Sequence, residues 1–308
     1  MNILITGGAG FIGSNIADAY KEQGHEIVII DNLTTGKLEN VPKGATFYQI
    51  DIRDEGIGDI ISEHKIDVIN HHAAQIDVRR SVEDPKYDLS VNVGGTLNLL
   101  QAALDEGIQH FIFASTGGAI YGEQRYYPAD ELHPTAPVSP YGITKLCVEK
   151  YLHYYHVERG LEYTVLRYTN VYGPRQNPHG EAGVVAIFAD KILAGETPVI
   201  NGDGKQTRDY VYVGDVVRAN VLALGMEDTD TYNVCTGVET DVNEIFDSLN
   251  AAAGDSAKKE HGPAKKGEQQ RSVCSYTKIE KLHGWTPQVE LRQGIRETFE
   301  FFQSKSED

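Results

Sequence analysis

The chain contains few cysteines, few basic side chains and no long apolar run. Its three cysteines, Cys147, Cys235 and Cys274, have no CxxC spacing, which argues against a disulfide framework and fits a reducing compartment. The 308 residues include 28 lysines and arginines against 45 acidic residues, which gives a net charge of −17. So acidic a surface repels phosphate backbones and anionic lipid, and we expect neither a nucleic-acid partner nor a membrane partner.

Two further absences bear on location and on metal chemistry. No apolar run approaches the roughly 18 residues of a membrane span, and the opening MNILITGG lacks the basic region and cleavage site of a signal peptide. We therefore expect a cytoplasmic protein. The histidine pairs His71–His72 and His153/His156 have no evident third ligand, so we expect no metal site.

The first half of the chain alternates short apolar runs with helical patterns. Continuous apolar runs are typical of parallel strands buried on both faces, and the intervening helices cover those faces. We predict an α/β fold with a doubly wound parallel sheet, Rossmann-like in architecture. The predicted strands are residues 2–6, 26–31, 46–51, 66–71, 110–115 and 163–168, and the predicted helices are residues 11–24, 54–64, 86–105 and 141–159.

After about residue 170 the alternation becomes irregular. Residues 171–183 form a long loop rich in glycine and proline, residues 196–213 suggest strand, glycine-rich turn and strand, and residues 255–270 suggest a surface loop. Long irregular loops in compact proteins are often binding elements. The predicted domains are a Rossmann-like domain over residues 1–170, rejoined by about 213–240, and a smaller C-terminal α/β substrate lobe over residues 171–308.

The first strand leads directly into TGGAGFIG, which satisfies the pattern G-x-G-x-x-G. Glycines at Gly7, Gly8, Gly10 and Gly13 permit a tight turn, close approach to a pyrophosphate, and close packing of helix on strand. Asp31 ends the next strand about 18 residues after Gly13, near the spacing of an acid that binds the adenosine ribose. An acid at this point repels the 2′-phosphate of NADP, so the pattern predicts NAD as cofactor.

The stretch VSPYGITK places Tyr141 and Lys145 one turn apart on a predicted helix. Ser139 can cap that helix, and Pro140 fits its first position. A phenol is a poor base at its ordinary pKa of about 10, but a nearby ammonium and a nicotinamide cation both lower that pKa. Tyr141 can then exchange a proton with a sugar hydroxyl while a hydride moves to the cofactor.

Five stretches distributed along the chain point, in combination, to one protein family. They are TGGAGFIGSN, ASTGGAIYG, SPYGITK, RYTNVYGPRQ and TRDYVYVGDVVRA. Together they resemble the extended short-chain dehydrogenase/reductases and, within them, the UDP-glucose 4-epimerase group of nucleotide-sugar epimerases. The resemblance runs from Met1 to about Phe302, and it implies bound NAD, a UDP-sugar substrate, and a homodimer that pairs the helices at residues 86–105 and 141–159.

The resemblance also implies roles for single residues. Tyr141 would be the base, Lys145 would bind the nicotinamide ribose, and Ser115 or Thr116 would complete the triad, with Thr116 favoured. The implied cofactor-binding residues are Gly7, Gly10, Phe11, Ile12, Gly13, Asp31, Asn32, Asp51, Ile52, Ala73, Ala74, Gln75, Asn92, Tyr141, Lys145 and Tyr168. The implied substrate-binding residues are Asn170, Arg208 and, as a weaker candidate, Arg271; an arginine can bind a phosphate bidentately.

Gly117 and Gly118 discriminate between reactions that begin alike. Sugar-nucleotide 4,6-dehydratases carry Asp-Glu directly after the threonine, and decarboxylases keep a glutamate in the same region. Two glycines supply no acid to expel a hydroxyl, and they leave room for a sugar to turn. We therefore favour NAD-dependent 4-epimerisation of a UDP-hexose, interconverting UDP-glucose and UDP-galactose through a transient 4-keto sugar. The alternatives are a dehydratase or decarboxylase, a 4-epimerase of UDP-glucuronate or a UDP-N-acetylhexosamine, and a non-catalytic NAD-sensing protein.

Overall fold

The computed structural model describes residues 1–108, 110–179, 183–264 and 269–306. The chain divides into two compact units. The first unit comprises Met1–Gly122, Thr135–Arg167 and Val217–Tyr232, and the second comprises Glu123–Pro134, Tyr168–Val216 and Asn233–Asp308. No helix within the described ranges has both the length and the apolar character needed to cross a membrane.

Strands and helices alternate through the first half of the chain and follow one another less regularly after it. The strands are β1 (Asn2–Thr6), β2 (Glu26–Ile30), β3 (Thr46–Tyr48), β4 (Val68–His71), β5 (His110–Thr116), β6 (Glu162–Tyr168), β7 (Asn170–Tyr172), β8 (Val199–Asn201), β9 (Thr207–Arg208), β10 (Tyr210–Tyr212), β11 (Asp230–Val234), β12 (Thr240–Asp241), β13 (Glu260–Gly262) and β14 (Arg271–Ser272). The α-helices are α1 (Phe11–Glu22), α2 (Ile57–His64), α3 (Val78–Glu83), α4 (Pro85–Leu89), α5 (Thr96–Asp105), α6 (Pro140–Arg159), α7 (Val184–Leu193), α8 (Val213–Ala223), α9 (Val242–Ala252), α10 (Thr277–His283) and α11 (Leu291–Ser306). A π-helical segment, Ser90–Gly95, joins α4 to α5.

A seven-stranded sheet forms the centre of the first unit, in the order β3-β2-β1-β4-β5-β6-β11. The pairs from β3 to β5 are parallel, with Ile3 opposite Ile27 and Val68 opposite His110. The predicted doubly wound α/β fold is thereby confirmed. The strand order reverses between β1 and β4, and in open α/β sheets the crevice beyond that reversal is where ligands bind.

Burial explains why these segments form strands and helices. β1 is almost wholly buried, and its Leu4 packs in one apolar cluster with Val28 of β2, Ile69 of β4 and Phe111 of β5. Leu99 of α5 belongs to the same cluster, so the helix covers one face of the sheet. Strands buried on both faces need continuous apolar runs, which is the pattern in the sequence.

The second unit has its own apolar core, formed where α7, α9 and α11 pack together. Phe188 of α7 and Phe246 of α9 meet edge to face with ring centres 6.1 Å apart. Three small sheets accompany these helices: β10-β7, β12-β9-β14 and β13-β8. Each strand in them has two or three residues, so the unit's core depends on its helices.

Several predicted boundaries were wrong. The surface loop expected at residues 255–270 contains β13, which pairs with β8; residues 265–268 lie outside the described residues. The loop expected at residues 171–183 begins inside β7, and residues 180–182 are likewise not described. The helix predicted at 86–105 contains the π-helical turn, and the strand predicted at 46–51 ends at Tyr48.

Candidate active site

The turn after β1 brings backbone groups unusually close together. Gly7 has a φ of +69°, and a Cβ atom there would lie 2.7 Å from the backbone nitrogen of Ala73. A Cβ atom on Gly13 would overlap the Gly7 carbonyl oxygen. α1 begins at Phe11, and its N-cap, Gly10, has no side chain to bind the first N–H groups. Those N–H groups are therefore available to bind an anion such as a pyrophosphate.

Asp31 follows β2 and lies beside the same turn. Its carboxylate accepts hydrogen bonds from the Ala9 N–H at 3.0 Å and from the Leu33 N–H at 2.8 Å. Burial raises the pKa of Asp31, and the two backbone donors act in the opposite direction. Because each carboxylate oxygen has further lone pairs, Asp31 can also accept hydrogen bonds from ribose hydroxyls.

The predicted adenosine-side residues divide into a polar pair and a core residue. Asn32 Nδ2 donates to Asp51 Oδ2 at 2.9 Å, and Arg53 Nε lies 2.7 Å from Asp51 Oδ1. The hydrogen bonds from Arg53, helped by that of Asn32, lower the pKa of Asp51 to about 2. Ile52 is buried in the apolar cluster of the sheet. Asn32 and Asp51 are thus the polar groups available on this side.

The loop after β4 is held from behind by the π-helical turn. Asn92 Oδ1 accepts from the Gln75 N–H at 2.8 Å, and its Nδ2 donates to the Gln75 carbonyl at 3.0 Å. The same Nδ2 also lies 3.1 Å from an oxygen of Asp88. Ala73 and Ala74, just before this clamp, are partly exposed. Asn92 therefore fixes the loop that carries Ala73 and Ala74, whichever residues touch the cofactor.

Tyr141 and Lys145 lie at the start of α6. Ser139 caps that helix through its hydroxyl, and Pro140 occupies the first turn, as predicted. Lys145 is 4% exposed, and its Nζ donates to the carbonyl of Ala114 at 2.8 Å. The same Nζ lies 6.0 Å from the centre of the Tyr141 ring. The ammonium therefore lies between the tyrosine and the end of β5.

Burial dominates the electrostatics of this pair. It lowers the pKa of Lys145 to about 8, against the effect of the negative charges of Asp88 and Glu149. It raises the pKa of Tyr141, and Asp88 adds to that rise. The expected lowering of the Tyr141 pKa assumed both the ammonium and the nicotinamide cation, so it stays a prediction for the protein with its cofactor bound.

The two candidate hydroxyls at the end of β5 have different surroundings. Ser115 is 4% exposed, and its Oγ donates to Glu149 Oε1 at 2.6 Å. Thr116 is partly exposed, and its hydroxyl makes no hydrogen bond to any residue that the structure describes. Gly117 and Gly118 follow it directly. Of the two, the Thr116 hydroxyl is therefore the one available to an incoming ligand.

The second unit carries the predicted nicotinamide-side and diphosphate-side residues. Tyr168 is 5% exposed, and Asn170 begins β7 with its N–H donating to the carbonyl of Asp209 at 2.9 Å. Arg208 lies on β9, between β12 and β14, and its Nη1 donates to the carbonyl of Thr207 at 2.8 Å. Asn170 and Arg208 thus flank the same residue, Asp209.

Asp209 is a buried anchor next to Arg208. Its carboxylate accepts from the Thr236 N–H at 2.8 Å, the Thr236 hydroxyl at 2.7 Å and the Gly237 N–H at 2.9 Å. Burial raises the pKa of Asp209, and these donors oppose the rise. The anchor joins β9 to the turn after β11, and so fixes the backbone from which Arg208 projects.

Arg271 is already engaged by acidic and aromatic neighbours. Its Nε donates to Glu239 Oε2 at 2.9 Å, and its second nitrogen pairs with Glu239 Oε1. The guanidinium carbon lies 3.9 Å from the centre of the Tyr127 ring. A diphosphate would have to exchange with Glu239, so Arg271 stays the weaker candidate for binding it.

These elements match a protein family over most of the first unit and beyond it. The model of the NAD dependent epimerase/dehydratase family matches residues 3–235. The chain belongs to that family. NAD is therefore the cofactor of this epimerase/dehydratase, and the glycine turn and Asp31 fit its pyrophosphate and adenosine ribose.

The relatives extend the match to the whole chain. The UDP-glucose 4-epimerase of Mycolicibacterium smegmatis is 44% identical over 313 residues, which cover 100% of both chains. The solved UDP-glucose 4-epimerase of Thermotoga maritima, with UDP-glucose, is 47% identical and superposes with a TM-score of 0.97 over 99% of this chain and 100% of that one. The Thermus thermophilus enzyme in complex with NAD is 46% identical, with a TM-score of 0.93 over 98% and 99% of the two chains.

Two charged residues of the epimerase/dehydratase were not predicted. Glu149 lies four residues after Lys145, which places both on one face of α6. Asp209 directly follows Arg208, where an acid suggests only a partner for that arginine. The helical spacing could have indicated Glu149. Nothing local to Asp209 indicates its bonds to Thr236, because those depend on the fold.

Proposed function

We propose that this epimerase/dehydratase is a UDP-hexose 4-epimerase that interconverts UDP-glucose and UDP-galactose. One observation carries the proposal. The buried Lys145 links Tyr141 to the end of β5, where the free hydroxyl of Thr116 is followed by two glycines. This arrangement can remove a proton from a sugar hydroxyl, and it has no acid that could expel a second one.

Tyr141 acts as the base of the reaction. The Lys145 ammonium, fixed by the Ala114 carbonyl, stabilises the phenolate as it forms. Thr116 donates to and accepts from the sugar 4-hydroxyl, so that the proton passes between that hydroxyl and Tyr141. Tyr141 therefore holds the proton while the sugar is a ketone, and it returns the proton at the end.

The chemistry that bound NAD would supply is a reversible hydride transfer at C4 of the sugar, with return to the opposite face, so that none would be consumed. The chain's part is to hold that cofactor by the glycine turn and Asp31 and to keep water from the tyrosine. The roles of Asn32, Asp51, Ala73, Ala74 and Tyr168 along the cofactor are part of this proposal.

Epimerisation also requires the sugar to turn over between the two hydride transfers. Gly117 and Gly118 leave space beside Thr116 for that rotation. The nucleotide must stay fixed meanwhile, and we assign this to Arg208 and Asn170, with the guanidinium binding the diphosphate bidentately. If the diphosphate is bound tightly and the sugar loosely, the sugar can rotate, and either face of C4 can then receive the same hydride.

The lyase alternatives lack support at this site. A 4,6-dehydratase needs an acid for the leaving C6 hydroxyl and a base for C5, and both positions after Thr116 are glycine here. An NAD-sensing protein without catalysis does not need the buried Lys145, whose charge costs stability. UDP-glucuronate and UDP-N-acetylhexosamines share the reacting C4 with UDP-glucose, so the preferred sugar is decided by assay.

The test is Tyr141→Phe, assayed by incubation with UDP-glucose and measurement of UDP-galactose. Losing the proton acceptor should lower kcat by about 10²–10⁴-fold while the NAD content stays that of the wild type. Tyr154→Phe, on the exposed side of the same helix, is the matched control. Near-normal turnover by Tyr141→Phe would contradict the mechanism, and release of water or CO₂ by the wild type would indicate a lyase.

We also propose the homodimer implied by the resemblance, in which α6 pairs with the helical region of residues 86–105. The outer face of α6 carries exposed apolar side chains, with Ile143 53% and Val157 62% exposed, and neighbouring Val82 and Leu89 are 63% and 52% exposed. Burying these side chains against a second copy would remove apolar surface from water. Light scattering should give twice the chain mass, and Val157→Glu should give a monomer; a monomeric wild type contradicts the interface.

The setting of the enzyme follows from its proposed substrate. Free thiols at Cys147, Cys235 and Cys274 fit a reducing compartment, and we propose the cytoplasm and a role in galactose metabolism. Cell fractionation with an antibody to the protein tests the location. Recovery in an oxidising compartment would contradict it.

A further inference from the structure

Four buried side chains form a hydrogen-bonded network behind the tyrosine–lysine pair. Glu149 of α6 is bound by Arg167 of β6 through Nε at 2.9 Å and Nη2 at 2.6 Å. The same carboxylate accepts from Ser115 Oγ at 2.6 Å, and Arg167 Nη1 donates to the Tyr121 hydroxyl at 2.9 Å. None of the four is more than 6% exposed. The network thus consists of Ser115, Tyr121, Glu149 and Arg167.

The network holds the end of β5 against α6. Lys145 donates to the carbonyl of Ala114, and Glu149 accepts from the hydroxyl of Ser115, which is the next residue of β5. Two successive residues of the strand are thus tied to two residues one turn apart on the helix. The next residue is Thr116, so its direction is set by these two bonds.

The network also supplies charge to Lys145. Burial lowers the pKa of Lys145 to about 8, and the carboxylate of Asp88 and, after it, that of Glu149, one turn away, oppose that shift. The titratable side chains that face this ammonium from α4, α6 and the end of β4 are Asp88, Tyr141, Glu149, His71 and His72. Burial lowers the pKa of both histidines, that of His72 to about 3, so the two imidazoles are neutral near pH 7.

We propose that Glu149, held in place by Arg167, is a positioning residue for the epimerase reaction. Through Ser115 it directs Thr116 toward the reacting hydroxyl, and through its charge it keeps Lys145 protonated at working pH. An ion pair with only a structural role would not need the hydrogen bond from Ser115 to Glu149. It would also not need Glu149 to lie one helical turn from Lys145. A buried ion pair contributes little net stability, because desolvation of the two charges offsets their attraction. A role in the reaction therefore explains the Glu149–Arg167 pair better than stability does. The inference rests on the proposed function, since it assumes that Thr116 and Lys145 act on a sugar.

Ser115→Ala tests the positioning role, because it removes one hydrogen bond and leaves the ion pair intact. We expect kcat to fall about tenfold, with KM for UDP-glucose within about twofold of wild type and NAD content unchanged. Thr116→Val should cost far more than Ser115→Ala. Wild-type kcat in Ser115→Ala, or a larger loss there than in Thr116→Val, would overturn the proposal.

Glu149→Gln tests the charge role by the pH profile of kcat. Without the carboxylate, Lys145 loses its proton at lower pH, so the alkaline limit of kcat should move down by about one pH unit. Glu149→Asp keeps the charge and shortens the side chain, so it should lower kcat and leave that limit in place. A Glu149→Gln profile that superposes on the wild type would overturn the proposal. If Glu149→Gln does not fold, Ser115→Ala and Glu149→Asp decide.

Glu300→Gln, at an exposed position of α11, is the matched control and should behave as wild type. Wild type and Glu300→Gln are assayed first with UDP-glucose. No UDP-galactose from either contradicts the proposed function itself. A normal rate in both that persists in Ser115→Ala and Glu149→Gln contradicts only the role of Glu149.

Discussion

Replacing Lys145 by Met should make the protein more stable and inactive. The side chain is 4% exposed, and burial lowers its pKa from 10.5 to about 8. A charged group in such a place costs free energy of folding, and we attribute its presence to the proposed role of the ammonium beside Tyr141. Methionine has a similar volume and no charge, so it removes that cost without opening a cavity.

The size of the effect follows from the pKa shift. A difference of about 2.5 pH units corresponds to about 3 kcal/mol at pH values below the folded pKa. Lys145→Met also loses the hydrogen bond to the Ala114 carbonyl, which reduces this gain in stability by about 1 kcal/mol. We therefore expect Lys145→Met to raise the free energy of unfolding by about 2 kcal/mol at pH 7.

The sign of the pH dependence gives a second readout. Between pH 8 and pH 10.5 the unfolded chain holds a proton on Lys145 that the folded chain has lost. Wild-type stability should therefore rise with pH across that window relative to Lys145→Met. Above the unfolded pKa the charge cost is gone, and only the hydrogen bond, worth about 1 kcal/mol in favour of the wild type, remains.

Urea unfolding of nucleotide-free protein measures both readouts. Lys281→Met, the same change at an exposed position of α10, is the control and should shift neither. The reasoning is refuted if Lys145→Met is less stable than wild type at pH 7, or if the difference between them does not change from about pH 8 to about pH 10.

Three further predictions concern the glycine turn and the second unit. Gly13→Ala should abolish NAD binding, measured by nucleotide released on denaturation, because its Cβ atom would overlap the Gly7 carbonyl; Gly58→Ala, where nothing lies within 4 Å, should keep NAD and gain about 0.5–1 kcal/mol. Asp209→Asn should lower the free energy of unfolding, measured in urea, by about 3 kcal/mol, because the NH2 group of the new amide would face N–H groups that now donate to the carboxylate. A variant as stable as the wild type would contradict the role of Asp209 as an anchor. Arg208→Met should raise KM for UDP-glucose about 10–100-fold with NAD content unchanged, and an unaltered KM would remove it from the diphosphate site.

Much of the first unit could be predicted because its signals are local. β1 ends where the glycines begin, and Ser139 with Pro140 marks the start of α6. The apolar runs determine the strands, and the capping residues determine the start of the helix, each through contacts within a few residues of the chain. The division of the chain into functional domains, by contrast, stays a prediction.

What the sequence did not reveal depends on contacts between distant segments. β13 forms because β8 lies beside it, and its own residues, Glu260–Gly262, have no strand pattern. Sequence alone leaves the choice between Ser115 and Thr116 open, because both are small hydroxyls at the end of one strand. Glu149, from another element, favours Thr116 by binding Ser115.

The most direct test of the account follows the hydride itself. UDP-glucose labelled with deuterium at C4 is incubated with the wild-type protein in ordinary water, and the UDP-galactose formed is examined by mass spectrometry and NMR. We expect the deuterium to remain at C4 of the product, because in the proposed reaction the same hydride leaves and returns within one bound complex. Loss of the label to solvent, or a 4-keto-6-deoxy sugar as product, would contradict it.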